Sequence, residues 1–317
     1  MENSENQKPS EIERFSVNRL TNTNPFFDLE NKKAYELWRD QKLDGYPIKI
    51  RSLIVEVSDL QNPSDAEITA LKKNISKTNM ALYKTSVSKS DDIQSTKRAL
   101  SSMGLLLGLK ARDANLCADK DDYSLLTESK VAVRNRYIPY TNKPMNWHTD
   151  GYYNSEDLKI KGMGLHCISP AAFGGENAFM DPEIVYILMR DKNPDYIRAL
   201  MHPKAMEIPA NNFGDKNLRQ LQSGPVFSLF GDEATLHMRY TSRKRSIKWR
   251  QDDMTTAAVN FLSDLLKSDS PYIFRHRMAA GEGLICNNVL HNRSGFFDDK
   301  TKKRLFLRAR YFDRITN

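Results

Sequence analysis

The chain has 317 residues, 39% hydrophobic and 28% charged, which provides for a sizeable core and excludes a disordered or collagen-like chain. Its 48 Lys and Arg against 40 Asp and Glu give a formal charge of +8, spread along the chain rather than gathered in a tail. Three cysteines without a Cys-x-x-Cys pair exclude a disulfide framework, and no apolar run reaches the roughly 20 residues of a membrane span.

The polar, mixed-charge start carries no signal-peptide pattern, so a cytoplasmic protein is expected. Residues 1–25 read as a flexible arm and residues 26–317 as one domain, with an α/β outer part over 26–130 and a β-rich core over 131–317. The spacing of Tyr35, Leu37, Trp38 and Leu43 predicts an amphipathic helix over 31–43. Alternation over 48–57 predicts a strand. Ser64 and Glu67 form a capping box ahead of a helix carrying Ile68, Leu71 and Ile75. Residues 80–85 predict another strand and 91–109 another helix.

From Ser129 onward, short strand-like runs are separated by Gly, Pro, Asn and Asp turns: 131–140, 163–169, 175–181, 236–241, 284–290 and 304–312. Such runs indicate a sandwich or barrel. Two helices interrupt them, one opened by Asp181-Pro182 and one over 255–267.

His148 and Asp150 stand two residues apart, which on a strand puts both side chains on one face. With 6 His and 40 acids, about one such triplet arises by chance, so alone it reads equally as a surface pair. Its context says more. A turn and an apolar strand, 281–286, lead to Asn287, Asn288 and His291, and Arg304, Arg308 and Arg310 follow on a single parity. Two His and one carboxylate suit the facial site of a non-haem iron, with three positions left open. An Arg nearby is the natural partner for the distal carboxylate of a 2-oxo acid chelating that iron.

Four stretches in this order, WHTDG at 147–151, PAAFGGENAFMD at 170–181, AAGEGLICNNVLHNRSGF at 279–296 and KRLFLRARYFD at 303–313, resemble the taurine dioxygenase and clavaminate synthase-like family of Fe(II)/2-oxoglutarate-dependent oxygenases. The resemblance implies a mainly β fold with helical additions, built on a double-stranded β-helix (jelly roll). It implies His148, Asp150 and His291 as Fe(II) ligands and Arg304 as the grip on 2-oxoglutarate. Arg308 would face co-substrate or substrate, and Asn177 would take the place of the threonine usual after Gly-Gly-Asp/Glu. The implied reaction consumes O2 and 2-oxoglutarate, releases succinate and CO2, and hydroxylates a small-molecule substrate, with desaturation and ring closure as variants. The carboxylate of Asp150 speaks against halogenation, because related halogenases lack it.

Residues 236–249 are dense in cations and aromatics. They read either as a solvated basic loop or as a pocket wall, where Arg239 or Arg243 pairs with an acidic substrate and Tyr240 packs on it. Lys244 and Arg245 belong to the same run. Tyr152 and Tyr153 are candidate substrate contacts, and Asn135 and Arg136 can face the pocket. His166 and Cys286 read as core residues. Two other functions compete: a binding or regulatory protein on the same fold, and a zinc hydrolase at the His/Asp/His set, which would leave Arg304 without a role. No nucleic-acid motif is present, so no nucleic-acid partner is expected. The oligomeric state is not legible.

Overall fold

Ten strands carry the architecture: β1 (Ile54–Glu56), β2 (Met80–Lys84), β3 (Ser124–Leu126), β4 (Met145–His148), β5 (Gly162–Ser169), β6 (Asn177–Met180), β7 (Phe274–His276), β8 (Glu282–Cys286), β9 (Leu290–Arg293) and β10 (Leu305–Tyr311). The computed structural model describes residues 24–86, 92–115, 117–129, 132–213, 216–243 and 247–316. Nearly all of the expected N-terminal arm lies outside them, as do Lys244 and Arg245.

A six-stranded sheet runs in the order β1-β2-β8-β5-β10-β3, and a four-stranded sheet in the order β7-β6-β9-β4. Among the described residues only the β1–β2 pair is parallel; the helix Asp65–Thr78 forms its crossover. Together the two sheets form a jelly roll, the fold class that the sequence implies.

Period-two alternation explains the layers. Ala81 and Tyr83 of β2, Ile285 of β8, and Leu307, Ala309 and Tyr311 of β10 pack with Leu71, Ile75, Leu100 and Met103 of the helices Asp65–Thr78 and Ile93–Leu106. Their neighbours Met80, Leu82, Leu284, Cys286 and Phe306 turn the other way. They join Met163, Leu165, Phe179, Leu290 and Trp147 in the main core. Arg308 and Arg310 share the parity of Phe306, so they too face the interior.

Local chemistry sets the helix ends. Ser64 and Glu67 make the expected capping box, and Asp181 caps Pro182–Lys192. Each such cap is worth about 1 kcal/mol.

Two expectations change. Over 48–57, Ile50–Leu53 is a 3-10 turn and only Ile54–Glu56 pairs, because Ile48 is exposed while Leu53 is buried and the alternating positions share no face. The run 131–140 is not a strand but a short helix, Ala132–Asn135, then a 3-10 turn, Ile138–Tyr140, where Pro139 offers no N–H to a ladder. The N-terminal strands β1 and β2 extend the sheet of β5, β8 and β10.

Candidate metal centre

Strands β4 and β9 are antiparallel neighbours, and His291 stands directly opposite His148. Both imidazoles are buried, with ring centroids 4.2 Å apart. Asp150 follows just past the end of β4, and its Oδ1 lies 3.8 Å from His148 Nε2. The chain turns immediately afterwards at Gly151, whose φ is +68° and where a Cβ would collide with Ile160. One ligand atom from each of His148, Asp150 and His291 lies within 4.8 Å of the others.

The surroundings orient these donors. His148 Nδ1 lies 2.8 Å from the Asn146 carbonyl and His291 Nδ1 2.9 Å from the Val289 carbonyl. Each Nδ1–H therefore donates to backbone, which leaves Nε2 as a lone pair aimed inward. Burial, reinforced by His291, pushes His148 down to about 3, and burial also lowers His291. Neutral imidazoles are the form a cation requires. For Asp150, burial acts upward, but Arg308 and Arg310 outweigh it and hold the carboxyl well below the usual range. Arg308 Nη1 donates to Asp150 Oδ1 at 3.1 Å, while Oδ2 is buried without a partner. Two neutral nitrogens and an orphaned carboxylate oxygen make a donor set that fits a divalent metal with open positions.

Of the two adjacent asparagines, Asn288 serves this centre. Its Oδ1 accepts from the Asp150 N–H at 2.8 Å, and its Nδ2 donates to the carbonyls of Asp150 and Ile160. Its backbone sits at φ +50°, a left-handed conformation that Asn tolerates better than most residues. Asn287 instead ties Ile315 and Asn79.

Arg304, just ahead of β10, is a buried cation with no salt-bridge partner among the described residues. Its guanidinium lies 4.0 Å from the Phe306 ring and 5.3 Å from that of Phe296. Its Nη1 approaches the Leu126 carbonyl at 3.5 Å, and its Nε has no hydrogen-bond partner among the described residues. Burial, aided by Arg293, pushes Arg304 down to about 9. A carboxylate in this space would relieve that penalty, so the residue fits the anionic end of 2-oxoglutarate. Asn177 on β6 donates from Nδ2 to the Asn292 carbonyl at 3.0 Å, and its buried Oδ1 has no partner. Rotated about its last bond, the amide would offer N–H instead of oxygen to a neighbouring ligand.

The basic segment divides. Arg239 donates to the carbonyls of Tyr152, Met206, Gly224 and Gln222, so its guanidinium helps to organise the fold. Tyr240 is buried, beside Trp249. Arg243 donates to the Tyr152 hydroxyl at 3.2 Å, and the Tyr152 ring stands edge-on to His148 at 6.3 Å. Tyr153 accepts from Arg310 at 2.7 Å.

A cavity of about 960 Å³ is bordered by Trp147, Ala178, Asn292 and Arg275, and Tyr240 and Arg243 also line it. The metal centre is not part of it. His166 is buried against Tyr83, with Nδ1 3.0 Å from the hydroxyl, and Cys286 lies in the core, both as expected. His237 is buried against Phe230, away from the triad. Asn135 ends the short helix rather than facing the site from a strand. Arg219, which no local pattern in the sequence marks, lies over the Tyr153 ring at 5.4 Å.

Comparison with known proteins places this geometry. A solved asparagine oxygenase, in complex with Fe(II), 2S,3S-3-hydroxyasparagine and succinate, shares the fold with a TM-score of 0.55, at 12% identity over 91% of this chain and 92% of that one. A uridine-5'-phosphate dioxygenase from Amycolatopsis sp is 28% identical over 172 residues, 52% of this chain. The chain spans 60% of that relative's length. A second uridine-5'-phosphate dioxygenase, from Streptomyces sp, is 27% identical over 203 residues, 61% of this chain and 71% of its own. The model of the family described as taurine catabolism dioxygenase TauD, TfdA matches residues 86–310, a stretch that holds the triad, Arg304 and most of both sheets. By that match the chain is a member of the TauD/TfdA family.

Proposed function

We propose that the protein is an Fe(II)- and 2-oxoglutarate-dependent dioxygenase that hydroxylates an unactivated C–H bond of a small anionic substrate, with succinate and CO2 as co-products. The observation that carries this reading is a pair of complementary needs in one interior. Neutral His148 and His291 with the half-satisfied Asp150 call for a divalent cation, and the buried Arg304 calls for a carboxylate. A zinc hydrolase or a binding protein without turnover accounts for the first need and leaves the second without a purpose.

Iron bound with 2-oxoglutarate supplies the oxidising power that O2 alone cannot deliver to a C–H bond. The chain's own residues do the rest. His148 and His291 present Nε2, and Asp150 presents its carboxylate, held in place by Arg308 and Asn288. Arg304 would anchor the distal carboxylate of the co-substrate, with Asn177 beside it. The aromatic pair Tyr152 and Tyr153 walls the approach to His148. The likeness to two bacterial uridine-5'-phosphate dioxygenases supports a nucleoside 5'-phosphate as the first substrate to examine.

The test is anaerobic titration of the metal-free protein with Fe(II) and then 2-oxoglutarate. A weak charge-transfer band in the green is expected, and it is lost in His148→Ala. A folded wild-type protein that gives no band at saturating iron and 2-oxoglutarate refutes the assignment.

A further inference from the structure

Four arginines stand around the metal centre and the tyrosine pair beside it, Arg308 at Asp150 and Arg219, Arg243 and Arg310 at the tyrosines, and two of the four already have anionic partners. Arg308 is paired with Asp150, and Arg310 with Asp113. The other two, Arg219 and Arg243, have no carboxylate partner among the described residues. Arg219 lies over the Tyr153 ring at 5.4 Å, donates to the Pro209 carbonyl at 2.6 Å, and keeps a buried Nε without a partner. Arg243 donates to the Tyr152 hydroxyl at 3.2 Å. Tyr152 and Tyr153 meet edge to face at 5.0 Å, so the two guanidinium groups flank one aromatic wall. That wall is continuous with the metal centre, because the Tyr152 ring stands edge-on to His148.

The chemistry of this arrangement selects its ligand. A half-buried guanidinium over an aromatic ring keeps its charge but gives up part of its hydration, and an anion restores the balance. One carboxylate satisfies one guanidinium fork. Two forks without carboxylate partners, repelling each other, match a dianion with three terminal oxygens. We propose that Arg219 and Arg243 form the subsite that receives a phosphate group of the substrate, with Tyr152 and Tyr153 between that group and the metal. The assignment rests on the oxygenase reading above and names its substrate class as phosphate monoesters. The remainder of the substrate, running from phosphate past the tyrosines, is the part brought to the metal.

The experiment uses the anaerobic protein loaded with Fe(II) and 2-oxoglutarate and measures binding by calorimetry. Its probes are uridine 5'-phosphate, uridine and inorganic phosphate. Wild type should prefer uridine 5'-phosphate over uridine by at least about tenfold. In Arg219→Met and Arg243→Met that preference disappears while uridine binding and the iron–2-oxoglutarate band persist. Arg219→Lys and Arg243→Lys retain part of it, which separates lost charge from lost fold; melting curves of all four variants check the fold directly. Met variants that bind uridine 5'-phosphate as wild type does overturn the subsite. A wild type that does not distinguish nucleotide from nucleoside overturns it too, as does inorganic phosphate binding as tightly as the nucleotide. In each of these cases an intact band leaves the oxygenase reading standing; loss of the band in wild type removes both.

Discussion

Replacing Arg304 with methionine should move stability and co-substrate affinity in opposite directions. The native guanidinium is 2% exposed, has an unsatisfied Nε, and faces repulsion from Arg293. An unpaired buried charge costs several kcal/mol, of which the contacts to Phe306 and Phe296 return about 1–2 kcal/mol each. Methionine fills a similar volume without charge, so the protein lacking 2-oxoglutarate should gain about 1–3 kcal/mol, a few degrees in Tm. With 2-oxoglutarate present, the variant lacks the charge-assisted pair. Truncating such a buried pair costs about 2–5 kcal/mol, which weakens binding by roughly 30-fold to several thousand-fold. Saturating co-substrate should therefore reverse the order of the two melting curves. Thermal melts with and without 2-oxoglutarate, together with the anaerobic titration, measure both effects. A variant that melts lower without co-substrate and still binds 2-oxoglutarate like wild type refutes the idea that this cation waits for an anion.

Three further outcomes are expected. Asn288→Gly keeps the left-handed backbone but removes the contacts to the Asp150 peptide and Ile160, so metal affinity should fall about 10- to 100-fold; titration with Fe(II) or Co(II) reads it, and unchanged affinity would dismiss the clamp. Arg239→Met strands four backbone carbonyls and should cost about 2–4 kcal/mol in denaturant unfolding; a stable variant with impaired substrate binding would return Arg239 to the pocket. His237 is pushed down to about 3 by burial and by Lys159, Arg314 and Lys161, so it is neutral when folded and takes up a proton on unfolding below its ordinary value. Its contribution is fully present above about pH 6.5 and is lost as pH falls toward 3. Relative to wild type, His237→Phe should therefore become more stable on acidification by up to about 1.4 kcal/mol per pH unit, and parallel stability curves would contradict this.

How much of this was legible in the sequence follows from which signals are local. The single parity of Arg304, Arg308 and Arg310 was visible, because a strand reports its faces directly in its letters; β10 places Phe306, Arg308 and Arg310 inward. The pairing of His148-x-Asp150 with a distant His291 emerged only from ordered motifs, since no local rule states that β4 and β9 are neighbours. The run 131–140 resembles a strand in its content of Val, Ile and Tyr, yet Pro139 offers no N–H to a ladder. Arg239 looked like a substrate contact because a loop rich in cations and aromatics reads the same whether its guanidinium meets a ligand or four carbonyls. Asn288 and Arg219 were unreadable for different reasons. The first depends on a backbone angle, and the second on a hairpin folding back over Tyr153.

The direct opposition of His148 and His291 has a consequence for the life of the chain. An ion held by both is a cross-link between two strands from distant parts of the sequence, and it closes the long loop between them much as a covalent bridge would. Closing a loop of that order restrains the unfolded chain by about 4–5 kcal/mol in the simplest entropic treatment, and whatever affinity the folded site has for its ion becomes folding energy. The protein deprived of metal should then be not merely idle but more easily opened and digested. Iron supply would set how long each molecule survives as well as how fast it works.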